Sequence, residues 1–135
     1  MIVADTNLIA YFFIEGDFTD QANATFHKDP EWIAPLLWRS EFRNVLALYI
    51  RKGFLNLAEA VDLIQEAELL MKGMEYLVPS VNILKLTEAS QSSAYDCEFV
   101  ALAKQFDLEL VTSDASIIQK FPDTAVHMAD FIKAS

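Results

Sequence analysis

The chain alternates short apolar runs with longer stretches whose apolar residues recur at helical spacing, the signatures of buried strands and amphipathic helices. Residues 1–4, Met-Ile-Val-Ala, predict a brief buried strand, and Asp5-Thr6-Asn7 supplies an N-cap for a helix from near Leu8. A second short helix is expected over Asp20 to His27. Asp29-Pro30-Glu31 then breaks the chain ahead of a strand at Trp32 to Ala34, and Pro35 is placed to open a helix over Leu36 to Arg51. Gly53 ends that helix, and Asn56 caps a partner over Leu57 to Lys72, so the pair predicts a helical hairpin.

The second half keeps a strand-then-helix rhythm, which argues for parallel strands joined by helical crossovers. Tyr76 to Val78 reads as a strand ended by Pro79, and residues 82–90 read as a helix. The Ser-rich stretch 90–93 is a connection to a further helix over Tyr95 to Phe106. Leu108 to Val111 is the clearest strand, Ser116 to Lys120 a short helix, Ala125 to His127 an edge strand and Asp130 to Lys133 a terminal helical turn. With no repeat, low-complexity tract or linker, the expectation is one α/β domain over residues 1–135. It has three layers, α/β/α, around a central, mostly parallel sheet of about five short strands.

Composition narrows the class of protein. A chain of 135 residues that is 53% hydrophobic can bury a full core. No stretch reaches the ~18 to 20 uninterrupted apolar residues of a membrane span, and the start lacks the basic region and small-residue cleavage site of a signal peptide. A cytoplasmic protein without membrane contact is expected. The single cysteine, Cys97, cannot form an internal disulfide and falls in an apolar helical pattern, so a small buried residue is expected. A net charge of −10 repels polyanions, so a nucleic acid would have to be gripped locally.

Chemistry enters with four acids. Asp5 and Asp114 each follow a predicted strand directly, at the rim where open parallel sheets gather functional groups. Asp96 lies in the first turn of a helix entering from that side, and Glu41 must reach the rim from one turn inside its own helix. Each has a plainer reading. Asp5 and Asp114 fit helix caps, and Asp96 fits the third position of a capping box opened by Ser93. Glu41 is harder to dismiss, because Leu37, Trp38, Asn44 and Val45 put it along a largely apolar face where an unpartnered glutamate is seldom buried. Two carboxylates at about 5 Å repel by about 3 kcal/mol at an effective dielectric near 20, so four in one pocket call for a divalent cation. Such a cation supports phosphodiester hydrolysis with no histidine, serine or cysteine nucleophile. His27 and His127 show no zinc spacing, and no Gly-rich phosphate loop is present.

Taken together, these segments resemble the PIN-domain ribonucleases, specifically the VapC-type toxins of toxin–antitoxin pairs. The likeness spans nearly the whole chain: the opening strand ending in Asp5-Thr6-Asn7, Glu41 in the helix after the second strand, the run Tyr95 to Ala103 containing Asp96, and the ending Leu110-Val111-Thr112-Ser113-Asp114. The resemblance implies a metal-dependent endoribonuclease in which Asp5, Glu41, Asp96 and Asp114 form the catalytic cluster for Mg²⁺ or Mn²⁺. Asp5 and Asp96 would be direct ligands, and Glu41 and Asp114 would bind a second ion or order water. Asn7 and Thr112 match supporting polar positions. Glu98 stands where the family often has a small apolar residue; about 200° around the helix from Asp96, it is expected to face solvent.

Arg39 and Arg43 flank Glu41 and are candidates for contacting RNA phosphates, against the commoner role of solvated cations on a helix face. The resemblance also implies a cognate antitoxin that carries basic residues into the acidic site. The Leu-, Ile- and Val-rich helices 36–51 and 57–72 suggest a homodimer surface. Two other readings stay open at this point: a phosphoryl-transfer or phosphatase domain of the receiver or haloacid-dehalogenase type, and a PIN-fold binding module without catalysis. The first needs a second acid beside the first-strand aspartate, where this chain has Thr6-Asn7.

Overall fold

The computed structural model describes residues 1–134. Its elements run β1 (Ile2–Ala4), α1 (Thr6–Phe13), α2 (Thr19–Lys28), β2 (Trp32–Pro35), α3 (Trp38–Arg51), α4 (Leu57–Leu70), β3 (Glu75–Tyr76), α5 (Ser80–Ser90), α6 (Ala94–Phe106), β4 (Leu110–Thr112), α7 (Ala115–Lys120), β5 (Ala125–His127) and α8 (Met128–Lys133). The strands form one sheet in the order β3-β2-β1-β4-β5, and every pairing is parallel. From β1 through β2 to β3 the chain steps one way, and the crossover from β3 to β4 returns the other way. Because such crossovers are right-handed, the reversal sends α5 and α6 to the face opposite α1, α3 and α4, giving three layers. The core is apolar and closely filled. Trp32, Trp38, Phe42, Phe99 and Met71 are among its fully buried side chains, and each stabilises the fold by about 1.5 to 3 kcal/mol relative to exposure.

Local chemistry sets the element ends. Asp5 caps α1 through its own carboxylate, so the helix begins at Thr6 rather than near Leu8. α4 opens on a full capping box between Asn56 and Glu59. β3 is shorter and earlier than the expected strand at Tyr76 to Val78, since pairing with β2 stops at Tyr76 and Leu77 turns out to solvent. β4 starts at Leu110 rather than Leu108, because Asp107 takes a left-handed conformation (φ 54°) and Leu108 N–H bonds back to Ala103 of α6. Gly53, with φ 78°, ends the α3 hairpin where a left-handed turn favours glycine. Cys97 is buried, as expected. His127 caps α8, its Nδ1 accepting Ala129 N–H at 3.0 Å. Among the described residues, no helix is long and apolar enough to cross a membrane.

Candidate active site

The reversal of strand order falls between β1 and β4, which pair through Val3 with Leu110 and Ala4 with Val111. The next residues along these two strands, Asp5 and Thr112, therefore meet at the carboxyl edge of the sheet. Thr112 Oγ1 donates to Asp5 Oδ2 at 2.7 Å and accepts the Asp114 N–H at 2.9 Å. Asn7 bridges the same strands: its Nδ2 reaches Asp5 Oδ2 at 3.3 Å and Thr112 Oγ1 at 3.2 Å, while its Oδ1 accepts Ser113 N–H at 3.3 Å. The other Asp5 oxygen accepts Thr6 N–H at 2.8 Å. A short parallel strand pair and the start of α1 thus fix both oxygens of a carboxylate that is 7% exposed.

The remaining acids arrive on helices. α3 carries Glu41 toward β1, where Thr6 Oγ1 donates to Glu41 Oε1 at 2.7 Å. Ser93 opens α6 by accepting Asp96 N–H at 3.1 Å, which places Asp96 in the first turn. Asp114 caps α7, accepting Ser116 N–H at 2.9 Å and Ile117 N–H at 3.3 Å. Asp5, Glu41, Asp96 and Asp114 line one open cleft of about 610 Å³, together with Thr6, Asn7, Leu37, Ser40, Asn44, Val45 and Tyr95. The capping roles of Asp5 and Asp114 are real, and they coexist with a place in the cleft.

Proton affinity in the cleft is set by burial and by like charge. Burial pushes the Asp5 carboxyl from 3.8 up to about 6; the bonds from Thr112 and Thr6 hold it down, while the charges of Glu41 and Asp96 raise it further. Glu41 is raised chiefly by burial, with the bond from Thr6 opposing and the charges of Asp96 and Glu98 adding. Asp96 is raised by burial and then by Asp114, and Lys120 acts in the opposite direction. Among the described residues, no three His, Cys, Asp or Glu side chains stand close enough together to hold a metal ion as they are placed. The acids instead form an open, oxygen-only rim whose members disfavour one another's charge. That donor chemistry is of the kind that suits a hard divalent cation that retains water.

One sequence expectation is corrected, and one candidate pair lies outside the cleft. Glu98 is half-buried, and its charge is felt at Glu41; α6 packs against both α5 and the sheet, so the side of the helix away from Asp96 is not all solvent. Arg39 and Arg43 are not brought to the cleft. Arg39 binds Glu75 through Nε at 2.6 Å and a second nitrogen at 2.8 Å, and it reaches Glu68 at 3.1 Å. Trp38 Nε1 donates to the same Glu75 at 2.8 Å, so the arginine clasps α3 to β3 and α4. Arg43 borders an apolar groove between α3 and α4 with Leu46, Ile50 and Val61. Conversely, Thr6, Ser40, Asn44 and Tyr95 were not singled out from the sequence. The position of Thr6 inside the Asp-Thr-Asn turn, and the helical spacing of Ser40 and Asn44 about Glu41, are the signals that could have found them.

The PIN domain model matches residues 2–122. This chain belongs to the PIN-domain family. A curated relative, ribonuclease VapC3 of Pyrobaculum aerophilum, is 26% identical over 124 residues, which are 90% of this chain and 95% of the relative. Solved structures agree on the fold. PAE2754 of Pyrobaculum aerophilum superposes with a TM-score of 0.78 at 16% identity, covering 98% of this chain and 92% of the other. FitAcB of Neisseria gonorrhoeae gives 0.74 at 19% identity, with coverage of 96% and 99%. A toxin–antitoxin complex from Klebsiella pneumoniae gives 0.66 at 15%, with coverage of 95% and 98%. The three-layer arrangement with a parallel five-stranded sheet is thus that of a PIN domain.

Proposed function

We propose that this PIN domain is a VapC-type toxin: an Mg²⁺- or Mn²⁺-dependent endoribonuclease that hydrolyses RNA phosphodiester bonds. The observation that carries the reading is the meeting of Asp5, Glu41, Asp96 and Asp114, from four separate segments, in one cleft. The curated relative is a ribonuclease by name. Asp5 and Asp96 would hold the ion, and Glu41 and Asp114 would order water beside it or hold a second ion. Bound there, a divalent cation supplies charge to neutralise the scissile phosphate and to acidify an attacking water. Thr112 and Asn7 keep Asp5 aimed into the cleft, and Thr6 does the same for Glu41. The two other readings are disfavoured: the Thr6 and Asn7 side chains beside Asp5 are committed to the site's own hydrogen bonds, and all four acids line the one cleft.

An antitoxin partner and a homodimer belong to the same proposal. The similar Klebsiella structure is a toxin–antitoxin complex, and a basic segment would complement both the acidic cleft and the −10 charge of this chain. Phe54, Leu57 and Leu69, on and beside α4, are largely exposed, which supports a further protein contact. The test of the enzymatic reading is incubation of wild type and Asp96→Asn with assorted RNAs and with an aryl phosphate, each with Mn²⁺ or with EDTA. RNA cleavage by wild type in Mn²⁺ alone, lost in Asp96→Asn, is expected. Full RNA cleavage by Asp96→Asn, or turnover of the aryl phosphate only, would overturn it.

A further inference from the structure

Among the described residues, no lysine or arginine lines the acidic cleft. A polyanion entering it meets four carboxylates, opposed by a metal ion where one sits and by the charge of Lys120 felt at Asp96. With the acids outnumbering that one cation, grip on the rest of the strand calls for contacts that do not depend on charge. The strongest of these for single-stranded nucleic acid is stacking of a base on an aromatic ring. Among the described residues, one aromatic side chain lines the cleft: Tyr95, the residue before Asp96.

Tyr95 also differs from the other tyrosines. Tyr11, Tyr49 and Tyr76 are half-buried, and each packs its ring against a phenylalanine, with centroids at 4.9, 6.0 and 5.1 Å. Tyr95 is 64% exposed and is in no aromatic pair among the described residues. Leaving a large ring in water at the lip of a polar cleft brings no folding stability. Its backbone is fixed in the first turn of α6, whose cap Ser93 also sets the position of Asp96. The ring and the carboxylate are consequently held at a constant offset by one rigid turn.

We propose that Tyr95 is the base-stacking platform of this site, holding one unpaired base of the RNA so that the adjoining phosphate lies against Asp96. The inference rests on the ribonuclease reading and extends it to the substrate: the base beside the scissile bond must be out of a duplex, because only then is its face free.

The test compares wild type with Tyr95→Ala, Tyr95→Phe and Tyr95→Trp on mixed single-stranded RNA in Mn²⁺. It is paired with photo-crosslinking of short RNAs carrying 5-iodouridine, in both Mn²⁺ and EDTA. Loss of one stacked base corresponds to about 5- to 150-fold in binding, so Tyr95→Ala should raise KM by a factor in that range while kcat stays near wild type. Phe and Trp should restore KM, and the crosslink should map to Tyr95. Thermal midpoints should match across all four proteins, since the side chain is exposed. Unchanged KM in Tyr95→Ala, or a crosslink elsewhere on a protein that cuts RNA, overturns the Tyr95 assignment alone. If wild type cuts no RNA, the ribonuclease reading fails and takes this inference with it.

Discussion

Replacing Asp5 by asparagine should change stability in a way that depends on pH. In the metal-free protein the folded Asp5 carboxyl titrates near 6 against 3.8 unfolded. An acid raised on folding binds its proton more tightly in the folded state, so the wild type loses stability as pH climbs from the unfolded value through the folded one. Above about pH 7 that loss is complete, and at about 1.4 kcal/mol per pH unit it amounts to about 3 kcal/mol. Asparagine never ionises and escapes this loss. It does set an amide N–H₂ against the donors Asn7 Nδ2 and Thr112 Oγ1, at a cost of about 1 kcal/mol that pH barely alters. The informative quantity is therefore the change in the mutational effect with pH, from which the hydrogen-bond cost cancels. Urea denaturation in EDTA at about pH 4 and about pH 8 should show Asp5→Asn gaining on wild type by about 2 kcal/mol between the two conditions. An effect that is flat with pH, or one that favours aspartate at the higher pH, would refute a buried, like-charged carboxylate.

The same geometry carries other expectations. Thr112→Val removes both the donor to Asp5 and the acceptor of Asp114 N–H from a fully buried position. It should cost about 1 to 2 kcal/mol and move the pH at which Mn²⁺ binds upward, since Asp5 then holds its proton more strongly; calorimetric titration across pH reads both. Arg39→Ala should lower stability by less than about 1 kcal/mol, as for a partly exposed ion pair, with kcat and KM for RNA unchanged. A several-fold rise in KM would show instead that Arg39 reaches substrate.

Much of this was readable in the chain because the informative residues are local to strand ends. The apolar runs before Asp5 and before Thr112-Ser113-Asp114 mark β1 and β4, and a parallel pairing sets the residues at their carboxyl ends on one edge of the sheet. The Ser93-to-Asp96 spacing likewise marks the start of α6. The features that escaped depend on contacts between distant segments. Glu75 and Glu68 lie 36 and 29 residues from Arg39, and nothing in their spacing announces that they claim it. Glu98 was read from its angle around an isolated helix, whereas its environment is set by the elements packed beside α6. Strand ends shifted by one or two residues for a related reason. Where β3 stops and β4 starts is decided by pairing with β2 and by the left-handed turn at Asp107, and apolar character cannot see either.

Mn²⁺ binding, monitored by the electron paramagnetic resonance of the free ion, bears most directly on the carboxylate cleft. Wild type should take up the ion saturably at neutral pH, and Asp5→Asn and Asp96→Asn should each weaken uptake by at least about tenfold. No saturable binding by wild type, or equal binding by wild type and both variants, would contradict the account.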